Sequence, residues 1–439
     1  MTSRLLILLL VTLSSLSDLT ADSSDWPRFR GPNGSGINQD GQTLPQRWSV
    51  SENTKWKIDL PGPGHSSPII VGDHIFITYW TEPDPKSSES VVKFHLLCLD
   101  RKGGKTVWDA EINPKLPLNE FRGDVGLHGH ACHTPVSDGA KVFAFFGTTG
   151  VTAFDMSGKQ LWQTDVGNQL EPRGLGSAAS LILYQDKVIV TASIESTALI
   201  ALAKETGEEV WKHESPDLAN TWSTPALVTV GDRTDLVLSV PYKILGFDPE
   251  TGELRWHCVG SQDTTAKSSV IVQDDVVYVL GGRGGGTVAV RAGGQGNVSE
   301  THCLWESGRI GVLTLPIHHD GRLHWVHNTT AYCLNSKTGE VIYRKRMAET
   351  KTRVRRSEAT AAKTTDRSGS AYASPVVEGD RMYHLKRNGE LIGILLGEEF
   401  KEFGRTTFES EGEFLATPAI SRGQMFVRST KHLYCIGKK

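Results

Sequence analysis

A short segment of the chain is rich in side chains that bind metal ions. Residues 127–133 (LHGHACH) contain His128, His130, Cys132 and His133. In an extended strand alternate side chains project to the same side, so the first three of these would share one face. Imidazole and thiolate groups are good ligands for Zn²⁺ and copper. We take these four residues as candidate metal ligands, with a polar loop of solvated histidines as the alternative.

Other parts of the sequence offer less defined chemistry. No Ser-His-Asp triad and no pair of carboxylates can be singled out. Residues 279–287 (VLGGRGGGT) superficially resemble a dinucleotide-binding loop, but their spacing is not G-x-G-x-x-G. The apolar run that follows predicts a strand, and without a helix N-terminus a phosphate group has no site there. We predict a wide turn between two strands.

A repeated unit must position all of these groups. Each copy opens with Ser/Thr-Pro and an apolar run, passes through a Gly/Asp turn to two more β-rich runs, and closes on an aromatic residue. A period of about 45 residues is typical of a four-stranded propeller blade. The sequence therefore predicts an all-β fold, an eight-bladed β-propeller of four-stranded antiparallel blades. The eight openings are assigned to Pro68, Pro135, Ser180, Pro225, Ser269, Pro316, Pro375 and Pro418.

Two positions inside the unit predict how the blades pack. The closing aromatic residue, as in Trp256, follows a turn glycine such as Gly252 by four residues. We expect this aromatic ring to cover the junction with a neighbouring blade. About ten residues before the closing aromatic residue, each copy has a small residue. Because cysteine, alanine and glycine have only their small size in common, this position predicts tight packing rather than a redox role. The small residues are Cys98, Ala153, Ala201, Gly246, Ala289, Cys333, Gly393 and Cys435.

The two ends of the propeller are expected to meet in one blade. The last unit runs out after its third strand, while residues 54–58 (TKWKI) precede the first opening and carry a closing Trp56. We predict that this N-terminal strand completes the C-terminal blade. Such ring closure protects the sheet edges that an open array of blades would expose.

The repeat resembles that of the PQQ-like propellers, the fold of the quinoprotein dehydrogenases. Residues 246–256 (GFDPETGELRW) match the signature small-x-Asp-x-x-Thr-Gly-x-x-x-Trp. Residues 25–34 (DWPRFRGPNG) resemble the lead-in of exported PQQ-like propellers of planctomycete bacteria. The fold is also similar to that of the propeller lipoprotein of the outer-membrane β-barrel assembly machine, a non-catalytic scaffold. The adjacent cysteine pair and the calcium-binding set that the resemblance implies for a dehydrogenase cannot be placed here.

The propeller fold gathers further candidates at one mouth of its central channel. The first strand of each blade lines the channel, and the loops that enter it share a face with the loops between the second and third strands. An aromatic ring together with Lys and Arg would suit a planar anion, and a hydrated mouth without a ligand is the alternative. The candidate ligand-binding residues on this face are His65, Arg173, Glu195, Trp222, Lys267, Arg283 and Tyr372.

Composition and the N-terminus bear on location. A net charge of −3 over 439 residues argues against a large nucleic-acid footprint. Arg4 followed by an apolar run over residues 5–13 predicts a cleaved signal peptide, too short for a ~30 Å membrane core. No other segment approaches ~20 apolar residues, so no membrane span is expected. We predict a signal peptide over residues 1–21, a lead-in over 22–47 and the propeller over 48–439, as a periplasmic or secreted monomer.

These observations leave several functions open. The leading hypothesis is an exported non-catalytic scaffold that binds a protein or a cell-envelope component. A quinoprotein-type oxidoreductase, using PQQ with Ca²⁺ or a transition metal, is the alternative in which the chain is an enzyme. A carbohydrate-binding propeller is the third. The insertion at residues 349–370 carries six Lys and Arg against three acids, and predicts a solvated loop or a contact with an anionic partner.

Overall fold

The structure is a computed structural model that describes residues 24–45, 47–49, 52–83, 91–119, 121, 129–281, 285–309, 314–348, 371–408 and 412–438. These residues form eight sheets with at least four strands each. The predicted eight-bladed β-propeller is therefore confirmed. The predicted signal peptide and the insertion at residues 349–370 lie outside the described residues, as do His128 and Arg283.

The strands are numbered in chain order, and each blade lists its strands from the channel outwards. The lead-in contributes β1 (Ile37–Asn38), and β2 (Thr54–Asp59) precedes the first blade. Blade 1 contains β3 (Ile69–Val71), β4 (His74–Thr81), β5 (Lys93–Asp100) and β6 (Thr106–Ile112). Blade 2 contains β7 (Val136–Ser137), β8 (Lys141–Phe145), β9 (Val151–Asp155) and β10 (Gln160–Thr164). Blade 3 contains β11 (Ile182–Tyr184), β12 (Lys187–Ala192), β13 (Ala198–Ala203) and β14 (Glu209–Glu214).

The second half of the ring follows the same plan. Blade 4 contains β15 (Ala226–Val230), β16 (Arg233–Val240), β17 (Lys243–Phe247) and β18 (Leu254–Val259). Blade 5 contains β19 (Ile271–Gln273), β20 (Val276–Leu280), β21 (Gly286–Arg291) and β23 (Cys303–Arg309). Between β21 and β23 the chain forms β22 (Gly296–Asn297), which pairs parallel with β18 of blade 4, and helix α1 (Ser299–His302). Blade 6 contains β24 (Ile317–His319), β25 (Arg322–His327), β26 (Thr330–Asn335) and β27 (Val341–Arg346). Blade 7 contains β28 (Val376–Glu378), β29 (Arg381–Leu385), β30 (Glu390–Leu395) and β31 (Lys401–Thr407). Blade 8 contains β32 (Ala419–Ser421), β33 (Gln424–Arg428), β34 (His432–Gly437) and β2.

Burial explains why the inner and outer strands differ in composition. The second and third strands of a blade are covered on both faces by the neighbouring blades, so their apolar runs are almost unbroken, as in β12 and β13. Outer strands such as β2 alternate between half-buried and exposed residues, the period-two pattern of a strand with one face toward solvent. A short 3-10 turn follows β8 at Gly147–Thr149, and another follows β14 at Pro216–Leu218.

The predicted ring closure is confirmed. Strand β2 pairs antiparallel with β34, and Trp56 lies opposite Cys435. The Lys55 ammonium group donates to the backbone oxygen of Lys438, which stands 383 positions later in the sequence. Blade 8 therefore takes three strands from the C-terminal end of the chain and its outer strand from the N-terminal part. Both ends of the propeller must be in place before the last sheet can form.

The closing tryptophans lie at the junctions between blades, as predicted. The indole N–H of Trp211 donates to the backbone oxygen of Pro249, in the turn of the next blade, at 3.0 Å. The same bond recurs from Trp56, Trp108, Trp162 and Trp305. Trp256 differs because α1 and β22 replace the short turn of blade 5, and its indole donates to Asp235 of its own blade.

The small position lies directly beneath the closing aromatic residue. Ala201 is the cross-strand partner of Trp211, Gly246 that of Trp256, and Cys333 that of Tyr343. A Cβ atom on Gly246 would overlap the Trp256 ring, which explains why only small side chains occur there. All six cysteines are free thiols. Burial raises the pKa of Cys98, Cys333 and Cys435 to about 12, so these thiols stay protonated.

A turn glycine provides a test of this packing. Gly252 has a φ of +74°, and an added Cβ would overlap the Trp211 ring; Gly379 has a φ of +59° and open space around it. We expect Gly252→Ala to lower the free energy of unfolding by about 2 kcal/mol more than Gly379→Ala, because overpacking adds to the shared backbone strain. Urea unfolding of both variants measures the difference. Equal losses would show that the Trp211 contact contributes nothing.

The lead-in crosses the propeller channel. Trp26 exchanges two backbone hydrogen bonds with Ile70 in the innermost strand of blade 1. Four residues later, the Arg30 guanidinium donates to the backbone oxygen of Pro316 in blade 6 at 2.9 Å. Strand β1 then pairs parallel with β28 of blade 7. Because blades 1 and 6 are not neighbours in the ring, the segment between Trp26 and Arg30 crosses the channel from one to the other.

A ring of hydroxyl bonds around the channel corrects two of the predicted openings. The N–H of Ser67 donates to Thr134 Oγ1 at 3.0 Å, and the bond recurs between successive blades at seven junctions of the described chain. Ser180 and Ser269 occupy the hydroxyl position before the opening. The openings of blades 3 and 5 are therefore Leu181 and Val270, one residue later than predicted, because no proline marks them.

Candidate functional site

Most of the predicted site residues lie on one continuous arc of the channel mouth. The N–H of His65 donates to the carbonyl of Ala131 at 2.8 Å, which joins the openings of blades 1 and 2. Cys132 Sγ donates to the carbonyl of Ser177 at 3.2 Å. The corrected opening of blade 5 places Lys267 at the same level as His65 and Trp222, three residues before the start. The loops that enter blades 1 to 5 thus form the candidate site.

A buried polar network lies at the centre of the arc. Ser177 Oγ donates to Glu195 Oε1 at 2.5 Å. His133 Nε2 lies 3.1 Å from the same Oγ atom. Ser177 and His133 come from the openings of blades 3 and 2, and Glu195 from the hairpin between β12 and β13. All three residues are buried, so the network joins two blades in a region that bulk water does not reach.

Burial shifts the protonation of this network in two directions. It raises the pKa of Glu195 to about 7, against the hydrogen bond from Ser177, which lowers it. It lowers the pKa of His133 to about 3, so this imidazole stays neutral. Because the Ser177 hydroxyl donates its hydrogen bond to Glu195, its proton does not point to His133, and the serine oxygen is not activated by that imidazole as in a hydrolase. The network can hold or release one proton near neutral pH.

His130 occupies an aromatic environment beside the network. Its ring lies 4.8 Å from that of Phe121 in an edge-on arrangement, and 5.6 Å from Phe94. Trp80 packs against it from blade 1. Burial lowers the pKa of His130, with Glu82 acting in the opposite direction. The aromatic neighbours explain the position of this histidine through packing.

The candidate metal ligands that the structure describes do not converge on one point, because each contacts a different group. His130 contacts aromatic rings, Cys132 bonds to a backbone carbonyl, and His133 faces Ser177. Burial raises the pKa of Cys132 to about 12, which disfavours the thiolate that a metal needs. Within the described part of the chain, no group of three His, Cys, Asp or Glu side chains has the geometry of a metal site. A site that includes His128 stays a prediction.

Arg173 and Trp222, which were predicted to bind a planar anion together, lie side by side in the structure. They contact each other, however, and leave no space for an anion between them. The Arg173 guanidinium lies 5.7 Å from the centre of the Trp222 ring. It also donates to Glu171 and, at 2.7 Å, to Asn220. Trp222 Nε1 donates to the carbonyl of Gly176 at 2.7 Å. Arg173 therefore covers one face of the indole that a planar ligand would use.

The other predicted residues lie around the same mouth. His65 is buried and its ring faces that of Trp80. Lys267 is exposed, and Tyr372 is half-buried at the opening of blade 7. Arg283 falls outside the described residues, although β20 and β21 pair on either side of its loop and confirm the predicted strand-turn-strand arrangement. Glu171 and Asn119 escaped the sequence analysis because they lie in loops between repeats, where the repeat pattern carries no signal.

A small cavity adjoins the network. Its volume is about 20 Å³, and its walls include His130, His133, Gly147 and Ser177. This is room for about one water molecule. A tricyclic cofactor such as PQQ needs a pocket of about 300 Å³ or more. The described residues of this cavity therefore do not fit PQQ in the conformation observed.

Comparison with known proteins assigns a family. The sequence profile of the outer membrane protein assembly factor BamB matches residues 92–345, more than half of the chain. The chain belongs to the BamB family. The match covers blades 2 to 5 and parts of blades 1 and 6, and His133, Ser177 and Glu195 lie within the matched range. No curated protein matches the sequence.

Solved structures share the fold of this BamB-family chain at low sequence identity. BamB from Moraxella catarrhalis is 13% identical with a TM-score of 0.60, over 89% of this chain and 98% of that one. The quinohemoprotein alcohol dehydrogenase from Comamonas testosteroni is 11% identical with a TM-score of 0.63, over 95% of this chain and 82% of that one. A europium-containing methanol dehydrogenase is 10% identical with a TM-score of 0.63, over 95% of this chain and 98% of that one. At these identities the similarity concerns the fold alone. In the described residues, no helix has the length and apolarity needed to span a bilayer.

Proposed function

We propose that this chain is an exported, non-catalytic scaffold whose channel mouth binds a protein partner of the cell envelope. The observation that carries the proposal is the arrangement of charged and apolar side chains at the channel mouth of blades 1 to 4. Its charged groups are bound to each other, as in Arg173 with Glu171, while large apolar side chains are exposed next to them. Exposed apolar groups surrounded by satisfied polar groups are typical of protein interfaces.

Three exposed apolar residues define this docking surface. Leu116 is 63% exposed, Leu170 is 40% exposed and Tyr242 is 47% exposed. Asn119 Oδ1 accepts from the N–H of Glu171, which joins the first two of their loops. Arg173 donates to Asn220 at 2.7 Å, which joins the loop of Leu170 to residues 215–222. Lys243 binds Asp217 at 2.8 Å, which joins residues 215–222 to the hairpin of Tyr242. Loops fixed in this way offer a preorganised surface, which reduces the entropy that binding costs. The description of the family as an outer membrane protein assembly factor agrees with a protein partner.

The rival function is that of a quinoprotein, favoured by the fold of the two dehydrogenases. The residues of the mouth do not fit the cofactor, because Arg173 covers a face of Trp222 and the cavity beside Ser177 is small. We therefore derive no reaction from this site. Equilibrium dialysis of the purified protein with PQQ and Ca²⁺ tests the rival directly, and stoichiometric binding would favour it over the scaffold.

Site-specific crosslinking in cell envelopes tests the scaffold proposal. A photoreactive residue at Leu170 is expected to trap a defined envelope protein, whereas one at Leu304, an exposed leucine on the outer strand of blade 5, is not. Leu170→Asp should weaken binding of that protein at least tenfold, because it places a charge in an apolar contact. Leu304→Asp is the matched control and should bind normally. Trapping at both positions alike, or at neither, would contradict the proposal.

A further inference from the structure

A second cavity lies within the channel, beneath the lead-in and away from the mouth. Its volume is about 20 Å³, and its walls combine Arg28, Arg30 and Asn33 of the lead-in with Thr224 and Ser269 of blades 4 and 5. Two arginine side chains therefore line one space large enough for a single species of about the size of water. Neither residue takes part in the polar network at the mouth.

The arginines of this cavity have hydrogen-bond donors left over. Arg30 is 1% exposed. Its Nε and Nη2 atoms donate to the carbonyls of Gly34, Ser35 and Pro316, and these bonds hold the lead-in in place. Its Nη1 atom is buried without a partner, and so is Nε of Arg28. A buried donor that lacks an acceptor destabilises the folded state, and more so when it is charged.

The charges in this cavity also lack compensation. Among the described residues, no carboxylate forms an ion pair with Arg28 or Arg30. Burial lowers the pKa of Arg28 to about 10 and that of Arg30 to about 9, and no acidic group acts in the opposite direction. The Arg30 guanidinium is buried, and the Nε atom of the half-buried Arg28 is also cut off from solvent. Positive charge beside this cavity is therefore poorly solvated, and the site favours a negative charge.

We propose that this cavity binds a small inorganic anion of halide size, chloride being the test case. The unpartnered N–H groups of Arg28 and Arg30 supply charge-assisted hydrogen bonds to it, and a volume of about 20 Å³ suits an anion of this size. The anion joins the lead-in to blades 4 and 5, where Thr224 and Ser269 complete the wall. Its role is to fasten the lead-in where it crosses the channel, independently of any partner at the mouth.

Bromide provides a direct probe of the site in the unmodified protein. Crystals grown with sodium bromide should show an anomalous diffraction peak in this cavity, within hydrogen-bond distance of both guanidinium groups. Bromide is slightly larger than chloride and has the same charge, so it reports on the same chemistry. A cavity that contains only water under these conditions would overturn the proposal, whatever the variants described below do.

Solution measurements test the charge dependence. Replacing gluconate by chloride at constant ionic strength should raise the midpoint of thermal unfolding by about 2 °C or more, in a saturable manner. Arg28→Met should lose most of this shift, while Arg30 is left intact because it holds the lead-in. Arg291→Met is the control, since Arg291 is 57% exposed at its side chain and pairs with Asp275. Equal shifts in the two variants would indicate a general salt effect and overturn the site. A shift with sulfate but none with chloride would overturn the halide assignment.

Discussion

A chain that ends at Lys431 will not fold to a stable monomer. The truncation removes β34, the strand that connects β33 to β2 within blade 8. Leu433, Tyr434, Cys435 and Ile436 are all at most 2% exposed. Burying side chains of this kind contributes about 1.5–3 kcal/mol each. Their joint loss is comparable with the whole stability of a typical domain, and it also exposes the edges of two strands.

Size-exclusion chromatography with light scattering, together with circular dichroism, measures this outcome. We expect aggregation, or a monomer that lacks a cooperative thermal transition. A chain that ends at Gly437 is the matched control, because it loses only the two terminal lysines and keeps every strand. The ring-closure argument would fail if the chain ending at Lys431 stayed monomeric and melted within a few degrees of the full-length protein.

Glu195→Gln will stabilise the protein at pH 8, and by much less, about 1 kcal/mol or below, at pH 5. The native pKa of Glu195 is about 7, above its ordinary value of 4.5. Between these two pH values the unfolded chain loses its proton while the folded chain keeps it, so stability falls as the pH rises through this window. The gap corresponds to about 3 kcal/mol at pH 8. A glutamine carries no charge, and its oxygen can still accept the hydrogen bond from Ser177.

The comparison must be made as a difference between variant and wild type. Burial lowers the pKa of His133, which faces the same serine, to about 3, and this group destabilises the fold as the pH falls below about 6.5. The histidine contribution cancels when both proteins are unfolded in urea at pH 5 and pH 8. Glu253→Gln, at an exposed position in blade 4, is the control and should show no such dependence. A glutamine variant with the stability of wild type at pH 8 would contradict a raised pKa of the buried Glu195.

The repeat made the blades predictable, and its weak copies produced the errors. Most blades open with a proline that follows a hydroxyl residue. At these openings the predicted strand starts are confirmed, as at Ile69. Blades 3 and 5 lack the proline, so Ser180 and Ser269 were assigned to a position that belongs to Leu181 and Val270. The pattern still indicated the right number of blades, because the closing tryptophans and the small residues beneath them recur independently of the openings.

The candidate site was predictable only in its location. The propeller geometry placed His133, Glu195, Arg173 and Trp222 on one face, and the structure brings them to one arc. The sequence did not show that Arg173 would cover Trp222, or that Ser177 would lie between His133 and Glu195. His133 and Ser177 are 44 positions apart, in loops of different blades. No spacing rule within one repeat describes such a contact.

Architecture and ring closure can thus be read from residue order, whereas the chemistry of the channel cannot. A blade is a local unit, and its turns, small residues and closing aromatic rings recur in the sequence because each copy solves the same packing problem. The lead-in has no second copy, so nothing in the chain predicted that Trp26 and Arg30 would reach blades 1 and 6. Burial of Arg30 and Glu195, and with it their altered charge states, arises only when distant segments exclude water around them.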